Sequence, residues 1–372
     1  MIAPAVFDLA GMACAAKAVT PALVWDFVEG GSGRELSVDA NRSALDSLAV
    51  VPRVLRGVST PAPACTLLGT RAELPVAIAP MAYQRLLHPD GELAAARAAK
   101  LAGVPFIVPM LSSIAVETVA SSAADLWFQL YWLRDRGLTA ELLARAEAAG
   151  CRAVVLTVDV PRMGRRLRDL RNGFALPHDV RAAHFPVNQA ETAQRHTGDG
   201  SAVADHTREA FDPALNWSHI EWLRARTSLP IVLKGLLDPR DALQARESGV
   251  DALVVSNHGG RQLDGALPAI DALPAVRAAV GDGCEVFFDS GVRSGLDVLR
   301  ALASGAHGVL LGRPALHGLS VAGTEGLLHS LTLLRSEFED AMVLSGCQDV
   351  HEIAELRTAP MPDRISRRGV IA

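Results

Sequence analysis

At 372 residues the chain has room for one large α/β domain or two ordinary ones, and its 49% apolar and 21% charged residues exclude a disordered polymer. A net charge of -5, with the arginines scattered rather than massed in a block, excludes the electrostatic footprint of a nucleic-acid binder. No run approaches the roughly 20 apolar residues of a membrane span, no export signal opens the chain, and Cys14, Cys65, Cys151, Cys284 and Cys347 lack metal or redox spacing, so a reduced cytoplasmic protein without a metal is expected.

Taken in chain order, roughly the first 70 residues stand apart from the rest of the chain and are predicted to be helical around Pro21 to Glu29. From about residue 75, short β-rich apolar runs alternate with Ala/Leu/Arg segments of helical period. The runs are Val76 to Pro80, Phe106 to Pro109, Leu126 to Tyr131, Ala153 to Asp159, Pro230 to Gly235, Ala252 to His258, Glu285 to Gly291 and Gly308 to Arg313. Eight such strands with helices between them predict an α/β fold, a (β/α)8 TIM barrel over about 75–318, near the usual size of about 250 residues. Helices Glu92 to Gly103, Ala140 to Gly150 and Asp238 to Gly249 close on glycines suited to a left-handed cap. One domain over 1–372 is expected, with an N-terminal helical extension and flanking helices at both ends.

A long loop after strand 4, about 161–217, interrupts the repeat. A connection of that length on the C-terminal face of a barrel reads as a lid or binding loop. Its polar residues, among them His178, His184, Asn188, Gln189, Thr192, Asp199 and Asp205, suggest mobility.

Polar groups cluster where the strands end, and core packing would not choose them. Gln129 and Tyr131 close the third strand, Thr157 and Asp159 the fourth, Lys234 the fifth, Ser256 and His258 the sixth, and Asp289 the seventh. Lys234 stands out because the chain has only two other lysines, Lys17 and Lys100. The sixth strand runs into Ser256–Asp264, SNHGGRQLD, which sets His258 beside Arg261 across two glycines. A histidine suits proton acceptance near neutral pH, with Asp159 able to fix its tautomer. Arg166 and Arg261 offer forked donors that match a carboxylate. The last two strands end in DSGVRSG, Asp289–Gly295, and LLGRP, Leu310–Pro314, glycine turns with Arg293 and Arg313 at the usual phosphate site of barrels. Read alone, a buried structural histidine, surface arginine pairs and a salt-bridged Lys234 stay open as alternatives.

Together, WFQLY at Trp127–Tyr131, TVDVPRMGRR at Thr157–Arg166, LKG at Leu233–Gly235, SNHGGRQLD, DSGVR and LGRP resemble the FMN-dependent L-2-hydroxy acid oxidase family, which includes glycolate oxidase, lactate oxidase and mandelate dehydrogenase. The resemblance covers nearly the whole chain. It implies that FMN is held by Pro80, Met81, Ala82, Gln129, Thr157, Lys234, Ser256, Asp289, Gly291, Arg293, Gly312 and Arg313, with Lys234 beside the N1 edge of the flavin. It further implies His258 as catalytic base, Asp159 as its partner, Arg166 and Arg261 as carboxylate clamp, and Tyr131 as a hydrogen-bond donor to the substrate.

Three departures from the family pattern bear on the substrate. Phe27 replaces the usual tyrosine, which removes a hydroxyl from the carboxylate site. Pro109 and Met110 replace serines that approach the flavin in relatives. Leu111 replaces a pocket tryptophan, which leaves room for an aromatic ring and implies a small-molecule substrate such as mandelate or p-hydroxymandelate. Ala82 near the flavin N5 and a polar lid, in place of an apolar basic anchor, imply a soluble oxidase using O2, free of membrane; the family also implies a homotetramer. The competing readings are a dehydrogenase with another acceptor, a lactate or glycolate oxidase, an unrelated FMN barrel that would not need His258, Arg261 and Arg166 together, and a protein that only binds a hydroxy acid.

Overall fold

A computed structural model describes residues 6–195 and 201–361; Asp199 of the lid lies outside them. Eight parallel strands form the closed barrel: β4 (Val76–Ile78), β5 (Phe106–Val108), β6 (Leu126–Leu130), β7 (Val154–Thr157), β8 (Ile231–Leu236), β9 (Ala252–Val255), β10 (Glu285–Phe288) and β11 (Gly308–Leu311), with β11 pairing back onto β4. Each lies within a run marked in the sequence, except that β8 extends one residue further, to Leu236. The remaining strands are β1 (Leu48–Val51), β2 (Cys65–Leu67), β3 (Thr70–Ala72) and β12 (Arg357–Pro360).

Period-two alternation divides the barrel residues between two cores. Ala77, Ala79, Ile107, Trp127, Ala153, Val155, Val232, Ala252, Val254, Phe287 and Leu310 form the inner cluster, where Trp127 meets Phe287 edge-on at 5.6 Å and alanines make room for both rings. The alternate residues, such as Val76, Ile78, Phe106, Phe128, Leu156 and Leu233, belong to the larger cluster that includes the surrounding helices. The β2–β3 hairpin joins the inner cluster through Leu67 and Ala72.

Outside the barrel, α1 (Leu9–Val19), α2 (Ala22–Glu29) and α3 (Leu36–Asp46) precede it. Helices α4 (Gly91–Ala102), α5 (Val116–Ala120), α6 (Arg136–Ala148), α11 (Pro239–Glu247), α12 (Ala269–Val280), α13 (Gly295–Ala303) and α14 (Arg313–Ser345) follow strands, and α14 is broken at Ala322–Gly323. The expected cap glycines have positive φ, 68° at Gly103, 80° at Gly150 and 73° at Gly249. After α15 (Val350–Ile353), β12 pairs antiparallel with β1, which ties residues 357–360 to 48–51.

The segment between β7 and β8 carries α7 (Leu167–Arg171), α8 (Val187–Ala190), α9 (Ala202–Ala210) and α10 (Ser218–Arg224). Its polar composition suggested mobility, but its apolar residues Phe174, Leu176, Val180, Phe185, Val203 and Phe211 are buried in the main core. His184 is buried too: Nδ1 lies 2.9 Å from the Met110 carbonyl, and Nε2 accepts from Val116 N at 2.9 Å. The lid is therefore packed onto the barrel by its spaced aromatic and aliphatic residues, a signal that its polar content hides.

Candidate active site

The strand period that fills the barrel with apolar side chains also builds the site. Two residues beyond Trp127, Val155, Val232, Val254 and Phe287 stand Gln129, Thr157, Lys234, Ser256 and Asp289; two further on stand Tyr131, Asp159, His258 and Gly291. The same face of each strand is apolar inside the barrel and polar at its C-terminal mouth.

A cavity opens there. It is lined by Pro80, Met81, Ala82, Lys234, Asp289, Gly291, Arg293, Gly312 and Arg313 from the cofactor set, and by Phe27, Leu111, Tyr131, Arg166, His258 and Arg261 from the substrate set. Gln129, Thr157 and Ser256 do not line it but brace residues around it. Gln129 donates to Thr157 Oγ1 at 3.1 Å and accepts from Met110 N at 3.1 Å, while Ser256 Oγ accepts from Lys234 Nζ at 3.0 Å.

His258 has φ +58°, in the left-handed region, followed by Gly259 and Gly260 at +63° and +76°. A non-glycine residue is strained there. Hydrogen bonds from His258 N to Ser256 Oγ (3.0 Å), Gly259 N to Ser290 Oγ (3.0 Å) and Gly260 N to Asn257 Oδ1 (3.1 Å) hold the turn. His258 Nδ1 sits 3.1 and 3.2 Å from the two oxygens of Asp159, so Nδ1 carries the proton and Nε2 is the free acceptor. Burial holds the imidazole below its ordinary 6.5, assisted by Lys234 and Arg166 and opposed by Asp159. The ring is neutral at neutral pH, as a base must be.

Lys234 is buried 2.8 Å from Asp289. Burial opposes its charge, but Asp289 and Asp159 outweigh it, and Lys234 stays protonated. Gly235 follows at a register shift in β8 with φ +113°; a Cβ there would stand 2.5 Å from Asp159 Cγ, so only glycine lets the carboxylate pack against this strand.

The arginines divide their donors unequally. Arg261 donates to the carbonyls of Phe27 (2.8 Å), Val28 (3.0 Å) and Gly30 (2.6 Å), and Arg313 to those of Val28 (3.1 Å), Gly259 (3.2 Å) and Glu29 (3.2 Å). Both guanidinium groups therefore cap the C-terminal end of α2, where unpaired carbonyls and the helix dipole attract a cation. Arg166 is buried with Nε unpartnered. Burial, then Arg166 and Arg313, push Arg261 well below the ordinary arginine range. Asp169 and Glu29 offset this only in part, and a substrate carboxylate would add a further anion to the cluster. Phe27 stacks on Phe174 at 4.5 Å, and the Arg166 and Arg261 guanidinium carbons lie 5.9 and 5.6 Å from its ring centre.

Gly291, Arg293, Gly312 and Arg313 gather at the ends of β10 and β11. Arg293 is pushed down to about 10 by burial and then by Arg313. Two largely buried guanidinium groups at glycine turns fit the phosphate of FMN, and Lys234, in the lining of the same cavity, fits the electron-rich edge of a flavin. The donor set suits the cofactor. Sequence reasoning passed over Asn257 and Ser290, although both lie inside motifs it singled out, and over Asn41, whose amide exchanges two 2.8 Å hydrogen bonds with that of Asn257.

Residues 16–359 match the model of the FMN-dependent dehydrogenase family. A 4-hydroxymandelate oxidase from Amycolatopsis orientalis is 53% identical over 351 residues, covering 94% of this chain and 98% of that protein. An L-lactate oxidase from a Nostoc species is 43% identical, covering 91% and 94%. The crystal structure of a mandelate oxidase with (S)-4-hydroxymandelic acid superposes with a TM-score of 0.93 at 51% identity, covering 96% of this chain and 99% of that one.

Proposed function

The chain belongs to the FMN-dependent dehydrogenase family and catalyses FMN-dependent oxidation of a 2-hydroxy acid, and we propose that its substrate is an aromatic (S)-2-hydroxy acid, mandelate or 4-hydroxymandelate, with O2 as the electron acceptor. The observation that carries this reading is the mixed lining of the cavity. Its lining joins Arg166, Arg261 and His258 to the apolar Leu86, Leu87, Leu111, Met163, Val203 and Phe211. A substrate with a carboxylate at one end and a ring at the other matches both.

In the proposed reaction Arg166 and Arg261 hold the carboxylate, and their mutual repulsion is relieved when it arrives. Tyr131 donates to the substrate; burial and then Asp159 push its hydroxyl up to about 12, so it remains a donor throughout. His258 Nε2 accepts a proton as the hydroxy acid is oxidised, and Asp159 stabilises the imidazolium. FMN supplies the two-electron acceptor. Loss of two electrons and two protons gives the 2-keto acid, and O2 takes both up as H2O2. Phe211 stacks on the Tyr131 ring at 4.5 Å, which joins the aromatic wall to this donor.

No helix among the described residues is long and apolar enough to cross a membrane. A single catalytic domain, assembled as a homotetramer in the cytoplasm, is the organisation the family resemblance supports; a monomeric mass in light scattering would remove the tetramer.

The test of function is anaerobic mixing of the flavin-loaded protein with (S)-mandelate, (S)-4-hydroxymandelate or L-lactate, followed by admission of oxygen. Rapid bleaching with the aromatic acids and rapid return in oxygen are expected. Bleaching by lactate alone would overturn the aromatic assignment, and slow return would overturn the oxidase assignment.

A further inference from the structure

Gln262 borders the cavity, yet all its side-chain hydrogen bonds go to backbone. Nε2 donates to the carbonyls of Asp159 and Arg162, both at 2.9 Å, and Oε1 accepts from Gly164 N at 2.9 Å. The reversed amide would set NH2 against N–H and oxygen against two carbonyls, so the chemistry admits only this orientation. Beside it the two segments meet backbone to backbone. A Cβ on Gly164 would lie 2.3 Å from the Arg261 carbonyl and 2.9 Å from Gln262 Cα.

The residues joined in this way are those on which the reaction depends. One segment begins at Asp159, the partner of His258, and leads to Arg166; the other carries His258 and Arg261. Two of the three hydrogen bonds tie down the stretch between Asp159 and Arg166, and the third grips Asp159 itself. We propose that Gln262 is a positioning residue that sets both the His258–Asp159 contact and the spacing of the Arg166–Arg261 pair. This inference rests on the reading of His258 as base and of the two arginines as carboxylate clamp. The charged groups acting on His258 are Asp159 beyond β7, Lys234 on β8 and Arg166 from the lid; Arg261 on its own loop and the neutral hydroxyl of Tyr131 beyond β6 line the same cavity. Of these, Asp159, Arg166 and Arg261 lie on the two segments that Gln262 joins.

The test uses flavin-loaded Gln262→Met, which keeps the bulk and loses every hydrogen bond, and Gln262→Asn, which keeps the amide but shortens its reach. Neither adds charge. Flavin absorbance and Tm establish that each is folded, and the milder Asn variant serves if Met is not. Misplacement of this kind costs on the order of 100-fold in kcat/KM. The expected signature is that fall together with a raised KM and an acid limb of the kcat/KM profile shifted to lower pH, since an imidazolium less supported by Asp159 gives up its proton more readily. An acid limb that stays at its wild-type position in a folded variant, whatever the loss of rate, would overturn the proposal and reduce Gln262 to packing. Failure of the underlying reading shows separately, as turnover that survives His258→Ala.

Discussion

The N-terminal segment from α2 to α3 and the lid between β7 and β8 both lie outside the barrel and both reach its mouth, but the balance of forces that fastens them differs. The first buries Val24, Phe27, Val28 and Leu45 and adds many directed polar contacts. Arg261 and Arg313 reach into the carbonyls of α2, Ser32 N donates to Gly260 O at 2.9 Å, Gly33 N to Arg165 O at 2.9 Å, and Arg42 pairs with buried Asp297 at 2.7 Å. The lid is held by buried apolar side chains, with His184, Gln262 and Arg168 as polar fasteners, the last reaching Asp26 at 3.3 Å and Glu35 at 2.6 Å in the N-terminal segment itself. Under the proposed function, directional contacts suit a segment that orients guanidinium groups, whereas dispersion and burial suit one that offers a ring an apolar wall.

The sharpest way to break this division is Arg261→Leu, which removes a carboxylate donor and the cap of α2 in one step. Loss of a buried charge partner costs about 2–5 kcal/mol. Steady-state assays should therefore show kcat/KM reduced roughly equally for aromatic and aliphatic acids, with a lower Tm. A loss confined to aromatic substrates would contradict the assignment of charge work to this side.

Acid separates the two regions next. Burial pushes His184 down to about 4 from an ordinary 6.5. Its neutral form is the one folded, so its contribution is complete above 6.5 and lost as pH falls toward 4, on the order of 3 kcal/mol in all. Urea midpoints should drop over that window. His184→Phe should be less stable at neutral pH, because Met110 O and Val116 N lose their partner, yet flatter across it; equal slopes in both proteins would refute the lid's dependence on this ring.

Val203→Trp narrows the apolar wall from α9. The ratio of kcat/KM for mandelate over lactate should fall by about 10- to 200-fold with lactate turnover retained. Collapse of both activities would mean that the wall also serves the carboxylate end. The smallest change restores a hydroxyl. Phe27→Tyr places it near Arg166 and Arg261, and KM should fall by about tenfold, the worth of one charge-assisted hydrogen bond; no change would show that stacking on Phe174 turns the hydroxyl away from the substrate.

How much of this was legible tracks the same divide. The eight strands, their mouth residues and the glycine turns are local patterns, and they were read where they lie because strand period and strand ends carry the chemistry. The fastening was not legible. Nothing local to Asn41 points to Asn257, 216 residues on, and nothing around Arg261 says that its donors are shared with carbonyls of residues 27–30. The polar count of the lid likewise concealed Phe174, Leu176 and Phe185, whose burial depends on surfaces that the barrel supplies.

The pairing of β1 with β12 has a kinetic consequence. It joins residues separated by more than 300 positions, so closing that ring in an otherwise open chain costs about 5 kcal/mol of entropy before any contact is made. Four residue pairs on a partly exposed ribbon cannot meet that cost alone. The barrel has to assemble first and bring the two stretches together, which makes this ribbon a late event in folding and an early site of fraying, where amide protons exchange while the barrel strands remain protected.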